Sequence, residues 1–311
     1  GATESTNLAL KGAARCALRH GRGKHIITVA TEHKCVLESC AAMTEEGAEV
    51  TVLEVDSDGF VDPEAIADAI REDTILVSVM AVNNEIGIIQ PLADIGAICR
   101  GKGVLLHTDA AQAAGKIDMD VNAMAIDLLS ISGHKMYAPK GIGTLYVRRR
   151  PRARLLAAFS GGGQERGFRS GTLPVPLTVA LGEAASIAQG ELAREGQRLV
   201  SLREAMITRL RDNLGEITVN GSLNQRVPGN LNVGFAGVDA EALMAELPEL
   251  AISTGSACTS ASVEPSYVLK ALGLDDAAAG SSVRIGRARC RARAEVAAAA
   301  VSLTKAIGNH R

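Results

Sequence analysis

Short runs of β-branched and other apolar residues alternate with segments of helical apolar spacing through the first half of this 311-residue chain. This alternation predicts βαβ units, and therefore an α/β fold with a largely parallel sheet and helices on both of its faces. The predicted strands are 25–30, 49–55, 74–82, 103–108, 127–132 and 143–148. The predicted helices between them include 35–46, 62–71 and 91–101.

The pattern changes after about residue 173, where apolar residues recur at helical spacing as far as about residue 214. The apolar face of this long helix consists of Leu199, Leu202, Met206 and Leu210. Further strands and shorter helices follow it. We therefore expect two domains, a large one over 1–190 and a smaller α+β domain over 191–311.

Composition excludes several classes of function. Hydrophobic residues make up 47% of the chain and the net charge is -2, which is typical of a globular protein and gives no general attraction to polyanions. With no Trp, three Tyr and four Phe, few side chains could stack on nucleic-acid bases. No run of eighteen apolar residues and no secretion signal occur, so we expect no membrane span and a cytoplasmic location. The six cysteines are scattered, which disfavours a disulfide framework or a zinc site.

The densest local charge is the stretch RRRPRAR at 148–154, with five arginines in seven residues. Such a cluster could contact an acidic partner. We favour the simpler interpretation, a solvated loop after the last predicted strand of the first half.

Polar residues follow the predicted strands at their carboxyl ends, which is where open α/β sheets bind their ligands. The candidates are Asn83, Asn84 and Glu85 after the third strand, Asp109 and Gln112 after the fourth, and Ser132, His134 and Lys135 after the fifth. At the start of the first predicted helix, Ala2 and Thr3 could present N–H groups and a hydroxyl to an anion.

Two of these residues have the chemistry that one cofactor requires. The amine of Lys135 can bind an aldehyde covalently, and the carboxylate of Asp109 can keep a pyridine nitrogen protonated. Hydroxyl and N–H groups nearby can bind a phosphate. These are the requirements of pyridoxal 5'-phosphate. His33, after the first strand, could stack on such a ring and relay a proton or could cap the next helix, and the sequence favours neither.

Cys258 lies in the stretch STGSACTSAS at 253–262, in which nearly every residue is small. A structural thiol is usually surrounded by bulky apolar side chains, so this stretch predicts an accessible, mobile loop with a reactive thiol. A tight loop with an incidental thiol is the alternative. We interpret the other cysteines as packing or surface residues, namely Cys16, Cys35, Cys40, Cys99 and Cys290.

Seven motifs, in this order and over nearly the whole chain, resemble the cysteine desulfurases of the iron–sulfur-cluster assembly type. They are GATESTNLALKGAA, TEHKCVLESC, VNNEIG, HTDAAQAAGK, SGHKMYAPKGIG, GGGQERGFRSGT and STGSACTSASVEPSYVLKALGL. These enzymes belong to the class V aminotransferase family and to fold-type I. The resemblance implies a mainly parallel sheet of the seven-stranded type, pyridoxal 5'-phosphate as cofactor, L-cysteine as substrate, a homodimer, and delivery of sulfur to an acceptor or iron–sulfur scaffold protein.

The resemblance also implies how the cofactor is held. Lys135 would bind it covalently and then move the α-proton of the substrate. His33 would stack on the ring, Asp109 would pair with the ring nitrogen and Gln112 with the ring hydroxyl. The phosphate would be bound by Ala2, Thr3, Ser132 and His134, and by Thr172 of the neighbouring subunit.

For the substrate, the resemblance implies that Asn84 and Arg284 hold the carboxylate, with Arg287 as the rival of Arg284. Asn84 would also lie against the cofactor. Cys258 would attack the substrate sulfur and carry it as a persulfide, while the rest of the substrate leaves as alanine.

Two features depart from the pattern of the family. The chain starts at the phosphate-binding motif, so we expect a truncation at the N-terminus, and SSVRIGRARCRAR is shorter than the usual arginine motif. Two alternatives therefore stay open. One is another enzyme of the same fold and cofactor, such as a selenocysteine lyase or a class V aminotransferase, and the other is a non-catalytic protein that only docks partners.

Overall fold

A computed structural model of the protein describes residues 1–255, 265–286, 288–289 and 292–310. The chain divides into two compact units. The first unit contains Gly1–Glu54, Val61–Asn83 and Gln90–Gly190. The second contains Val55–Phe60, Asn84–Ile89 and the described residues of Glu191–Arg311. The assignment of 1–190 as a cofactor-binding domain and 191–311 as a small domain stays a prediction.

The first unit is built on one six-stranded sheet. Its strands are β1 (His25–Val29), β2 (Glu49–Leu53), β3 (Thr74–Ser78), β4 (Leu105–Asp109), β5 (Leu128–Ser132) and β6 (Gly143–Val147). They lie in the order β2-β1-β3-β4-β5-β6, and all neighbours pair in parallel except the antiparallel β5 and β6. The predicted α/β class with a mainly parallel sheet is confirmed.

The strand number differs from the expectation. The resemblance implied a seven-stranded sheet, whereas the described residues of the first unit contribute six strands. The physical reason is that this unit contains six β-branched apolar runs, and each of them is already one of the observed strands.

The helices of the first unit cover the sheet. They are α1 (Ala2–Arg19), α2 (Lys34–Glu45), α3 (Pro63–Ala69), α4 (Leu92–Lys102) and the first part of α5 (Val175–Leu214). Asp62 caps α3 by accepting the N–H of Glu64 at 3.0 Å, and α4 ends at Gly103, whose φ of 71° suits a residue without a side chain. The apolar faces of α1 and α2 pack with β1 and β3 through residues such as Leu10 and Val36.

Arg148, the first residue of the arginine cluster, is buried rather than solvated. Its Nε donates to the carbonyl of Ile126 at 2.9 Å and lies 3.3 Å from the carboxylate of Asp127. The interpretation of 148–154 as a fully solvated loop is therefore wrong at this residue. Pairing inside the fold satisfies a guanidinium that the sequence pattern assigns to water.

The second unit contains a four-stranded antiparallel sheet with helices beside it. The strands are β7 (Thr218–Val219), β8 (Asn230–Gly234), β9 (Ile252–Ser253) and β10 (Ser282–Gly286), in the order β7-β8-β10-β9. The helices are the rest of α5, α6 (Ala240–Glu246), α7 (Tyr267–Ala271), α8 (Asp276–Gly280) and α9 (Arg293–His310).

The predicted apolar face of the long helix lies in the core of this second unit. Leu199, Leu202, Met206 and Leu210 are buried there with Phe235 of the segment after β8. Among the described residues, no helix combines the length and the hydrophobicity that crossing a membrane requires.

Candidate active site

Asp109 ends β4, a strand in the interior of the sheet, and the residue is only 4% exposed. One oxygen, Oδ1, accepts the N–H of Ala111 at 2.8 Å, and the other, Oδ2, lies 3.9 Å from the Sγ of Cys35. Burial raises the pKa of Asp109, and the Ala111 bond and the charges of His33 and Lys135 oppose that rise. A cation placed against this carboxylate would therefore be stabilised strongly, because little water competes for it.

His33 lies beside Asp109 and caps α2. Its Nδ1 accepts the N–H of Cys35 at 3.1 Å. Burial lowers the pKa of His33, while the charge of Asp109 acts in the opposite direction. In the neutral ring the remaining proton is then on Nε2, because Nδ1 acts as an acceptor. Of the two roles left open by the sequence, the capping role is present. The ring-stacking role stays a prediction.

Glu32 is a neighbour of this pair that the sequence reasoning did not select. Its carboxyl is fully buried, and its Oε1 accepts the N–H of Met80 in the loop after β3. Burial raises the pKa of Glu32 well above its usual value, and the charge of Asp109 adds to the rise. The signal was available, because Glu32 follows the first strand as closely as His33 does.

Lys135 lies in a short 3-10 helix, Gly133–Met136, that follows β5 directly. The turn ends at Tyr137 in the left-handed region, with a φ of 69°. Burial has the largest effect on both neighbours, lowering the pKa of His33 and raising that of Asp109, and the positive charge of Lys135 lowers the pKa of each. The structure therefore brings together the three residues His33, Asp109 and Lys135, from the ends of β1, β4 and β5.

Ser132 and His134 lie at the same sheet edge. The Oγ of Ser132 and the Nδ1 of His134 are 3.0 Å apart. Burial lowers the pKa of His134, and the charges of Lys135 and Lys140 lower it further. This corner of the sheet is therefore electropositive, as an anion site requires.

The start of α1 packs against the same corner. Ser132 pairs with Gly143 of β6, and a Cβ added to Gly143 would lie 2.7 Å from the Cα of Gly1. Ala2 and Thr3 form the first turn of α1, and no side chain caps that turn among the described residues. Backbone N–H groups at the N-terminal end of an 18-residue helix thus lie close to Ser132, which is a suitable environment for a phosphate.

Replacing Gly143 with alanine is expected to close the space between the start of α1 and Ser132, which we call the anion cradle. The added Cβ would also lie 2.6 Å from the carbonyl oxygen of Ile131, so the start of α1 must shift. We expect a loss of about 1–3 kcal/mol in the free energy of unfolding and weaker binding of pyridoxal 5'-phosphate, measured by chemical denaturation and by absorbance titration. Gly101→Ala is the control, since nothing lies within 4 Å of a Cβ there. Equal cofactor affinity for Gly143→Ala and the parent would show that the anion cradle does not bind the cofactor phosphate.

The other predicted cofactor ligands are less fully defined. The amide oxygen of Gln112 accepts the Nζ of Lys116 at 2.7 Å, so its remaining donors are on Nε2, which suits a ring oxygen as acceptor. Thr172 is exposed in the segment before α5. Its action on a neighbouring subunit stays a prediction.

Asn84 and Arg284, the predicted carboxylate ligands, contact each other in the second unit. The Nη1 of Arg284 donates to the backbone oxygen of Asn84 at 2.7 Å, and the Nε donates to Ser253 at 3.1 Å. The side-chain Oδ1 of Asn84 is buried without a hydrogen-bond partner among the described residues. Arg287 and Cys258 lie outside the described residues, so their roles stay predictions.

Three of the described cysteines are unsuited to act as nucleophiles. Cys16, Cys35, Cys40 and Cys99 are free and buried. Burial raises the pKa of Cys35, Cys40 and Cys99 to about 12. A thiol with such a pKa is thiolate in only about one molecule in 10⁵ at pH 7. These three thiols are therefore poor nucleophiles.

These residues fit pyridoxal 5'-phosphate. The buried carboxylate of Asp109 can face a pyridinium, and the cradle beside Gly143, which a Cβ would fill, can accept the phosphate. The amine of Lys135 follows β5 between them along the same sheet edge. An amine beside a buried carboxylate and an anion site would suit a covalently held aldehyde cofactor.

Comparison with known proteins agrees with this site. The family model "Aminotransferase class-V" matches residues 1–298, and the chain belongs to that family. Within it, the chain is 55% identical over 311 residues to "Cysteine desulfurase IscS" of Tolumonas auensis, covering 100% of this chain and 76% of that protein. The resemblance to cysteine desulfurases that the motifs indicated is confirmed.

Solved structures show the same fold. A "NifS-like protein" aligns with a TM-score of 0.89 and 33% identity, covering 99% of this chain and 81% of that one. "SspA in complex with cysteine" aligns with a TM-score of 0.79 and 39% identity, covering 92% of this chain and 79% of that one. The fold is therefore that of the fold-type I enzymes to which these proteins belong.

Proposed function

We propose that this chain is a pyridoxal-phosphate-dependent cysteine desulfurase, which converts L-cysteine to L-alanine and transfers the sulfur to Cys258. The observation that carries the proposal is the convergence of His33, Asp109 and Lys135 at one sheet edge, beside the anion cradle at the start of α1. The desulfurase relative, similar over the whole chain, supports the choice of reaction.

The chain's own residues divide the work on the cofactor. When bound, pyridoxal 5'-phosphate supplies an electron sink that weakens the bonds at the Cα and Cβ of the substrate. Asp109 would provide the negative charge that keeps the ring nitrogen protonated, and Lys135 would hold the aldehyde and then carry the Cα proton. Because Nδ1 of His33 is engaged as a helix cap, its Nε2 is the atom that would exchange a proton with the substrate.

We propose that L-cysteine is held by its carboxylate. The guanidinium of Arg284 already donates a hydrogen bond to the backbone of Asn84, and a guanidinium and a side-chain amide both suit a carboxylate. The Nδ2 of Asn84 would donate to the carboxylate, and its unpartnered Oδ1 would accept an N–H of the same substrate, which supports a role in binding. The similar structure of SspA was solved as a complex with cysteine, which supports the choice of substrate.

The sulfur transfer needs no external oxidant. The thiolate of Cys258 attacks the sulfur of the substrate, a new S–S bond forms, and the bond from sulfur to Cβ breaks. The electron pair of that bond stays with the carbon fragment, which takes up protons and leaves as alanine. L-cysteine and one thiol thus give L-alanine and one persulfide, with atoms and electrons balanced.

Further parts of the proposal rest on the resemblance to the family. They are a homodimer in which Thr172 reaches the phosphate of the neighbouring subunit, a cytoplasmic location, and a sulfur acceptor or iron–sulfur scaffold protein that takes the persulfide sulfur. Cross-linking with and without the cofactor would test the dimer. Transfer of labelled sulfur to a candidate scaffold would test the acceptor.

The central experiment replaces Cys258 with serine. We expect the variant to retain the visible absorbance of bound cofactor and to lose at least about 10²-fold in alanine formation from L-cysteine, because a hydroxyl is a far weaker nucleophile than a thiol. Alanine and sulfide are assayed together, and the persulfide on the peptide containing Cys258 is measured by mass spectrometry. Cys99→Ala is the control, with turnover expected within about threefold of the parent, since that buried thiol stays protonated.

The same assay separates the alternatives. Undiminished alanine formation by the serine variant would favour a selenocysteine lyase over a desulfurase, whereas a 2-oxo acid product in place of alanine would favour an aminotransferase. Absence of both alanine and sulfide with the parent protein would favour the partner-docking hypothesis. Neither alternative is favoured by the relatives, which are named as desulfurases.

A further inference from the structure

The chemistry proposed above leaves one fully buried carboxyl of the second unit without a role. Glu85 follows Asn84 in the motif VNNEIG and is 0% exposed. Its backbone oxygen accepts the side-chain amide of Asn230 at 3.0 Å and that of Asn232 at 3.4 Å. Two side chains of β8 thus fix the backbone position of Glu85.

The side chain of Glu85 reaches both ends of the segment that contains Cys258. Its Oε2 accepts the hydroxyl of Ser266 at 2.5 Å. A Cβ added to Gly255 would lie 2.7 Å from the same Oε2 and would collide with the Cβ of Ser266. Gly255 precedes residues 256–264 and Ser266 follows them, so the two flanks of that segment meet at one carboxylate.

Each flank is also tied to the rest of the unit. On the first side, the Nε of Arg284 donates to Ser253 of β9 at 3.1 Å. On the second side, the hydroxyl of Ser266 accepts the N–H of Leu269 at 3.2 Å and caps α7. Burial raises the pKa of Glu85, whereas the Ser266 bond and the charge of Arg284 lower it. A carboxyl oxygen can accept the Ser266 hydroxyl in either protonation state, so the contacts and not the charge hold the two flanks.

We propose that Glu85 is a positioning residue that clamps Gly255 and Ser266 together, and so fixes the point from which Cys258 reaches the substrate. The inference rests on the proposed function, in which Cys258 is the sulfur acceptor. Three extended residues span at most about 11 Å, so the location of Gly255 limits where the thiol can go. Holding both flanks raises the effective concentration of the thiol near its target.

Two substitutions release the clamp in different ways. Glu85→Ala removes the carboxylate, and Gly255→Ala keeps it but pushes the first flank away from Ser266. Each is expected to slow formation of the Cys258 persulfide at least tenfold in single turnover. The absorbance and dissociation constant of bound pyridoxal 5'-phosphate are expected to stay unchanged. Glu85→Gln, which can still accept the Ser266 hydroxyl, is expected to stay within about threefold of the parent.

The control is Asp239→Ala, which removes the cap of α6 elsewhere in the same unit. It is expected to lower the melting temperature without slowing persulfide formation. If Glu85→Ala and Gly255→Ala form the Cys258 persulfide at rates within twofold of the parent's rate, the proposal that Glu85 clamps the two flanks is wrong. The same conclusion follows if the slowing in all three variants merely tracks their melting temperatures, or if Glu85→Gln is as slow as Glu85→Ala.

Hydrogen exchange of a peptide covering 252–268 tests the clamp independently of turnover. We expect faster exchange in Glu85→Ala and Gly255→Ala than in the parent, and no change in Asp239→Ala. If the parent itself forms no persulfide, the proposed function fails, and the clamp is judged on this exchange alone. Unchanged exchange in both flank variants would overturn it.

Discussion

Replacing Lys135 with alanine is expected to abolish the visible absorbance of bound pyridoxal 5'-phosphate and to lower alanine formation from L-cysteine by at least about 10³-fold. The variant loses both the amine that binds the aldehyde and the base that moves the α-proton, and positioned proton transfer alone contributes about 10²–10⁴-fold. Absorbance spectra and initial rates measured with excess cofactor would show both effects.

The matched control for this prediction is Lys102→Ala, because Lys102 is an exposed lysine in the last turn of α4. It is expected to leave absorbance and rate within about twofold of the parent. A Lys135→Ala protein that binds the cofactor with the parent's spectrum would contradict the assignment. Partial rescue of the rate by added ethylamine would support the role of the amine as a base.

The second large effect is expected for Asp109→Asn. A neutral amide of the same shape cannot stabilise a protonated ring nitrogen, so we expect at least a 10²-fold loss in alanine formation. Cofactor absorbance as a function of pH and the rate of alanine formation are the measurements. Turnover within threefold of the parent would show that Asp109 is not the partner of the ring nitrogen.

Asp109→Asn, which is expected to lower activity, is expected to preserve or raise the folding stability of the cofactor-free protein. Because burial raises the pKa of Asp109 in the folded state, the ionised carboxylate destabilises the fold above the unfolded pKa of about 3.9. This penalty disappears as the pH falls below that value. Asp109→Asn should therefore be at least as stable as the parent at pH 7, with the difference shrinking in acid. Urea denaturation at pH 7 and pH 4 measures it.

Asp127→Asn provides the contrast. Burial raises the pKa of Asp127 as well, but its carboxylate accepts the N–H of Leu106 at 3.0 Å and lies 3.3 Å from the Nε of the buried Arg148, so its loss leaves a buried guanidinium without a charge partner and this cost outweighs the relief of burial. Removing one partner of a buried ion pair costs about 3 kcal/mol. Asp127→Asn should thus lose folding stability and retain turnover per folded molecule. Asp109→Asn should retain folding stability and lose turnover.

The order of the elements could be predicted from the sequence because it depends on local periodicity. A strand such as β3 is an uninterrupted apolar run, and an apolar stripe such as that of α5 repeats at helical spacing. The sheet-edge candidates followed from the same logic, since polar residues after buried strands collect at one edge. Asp109 and Lys135 were found in this way without any knowledge of contacts.

Residues that act through long-range contacts could not be found in this way. The buried chain Ser78–His107–Ser130 joins three strands through hydrogen bonds of 2.8 and 3.0 Å, and burial lowers the pKa of His107 to about 3. Nothing in the sequence separates this neutral histidine from a catalytic one. The contacts of Glu32 and Glu85 are of the same kind, because their partners Met80 and Ser266 lie far away along the chain.

The sequence by itself determined the βαβ order, the apolar stripe of the long helix and the family, because each depends on the types of residues and their spacing along the chain. Only the tertiary structure decided that His33 caps α2 through Nδ1, that Gly143 leaves room for the start of α1, and that Glu85 joins Gly255 to Ser266. The physical reason is that burial and hydrogen bonding between distant segments set the proton positions, the charges and the free space at each of these points.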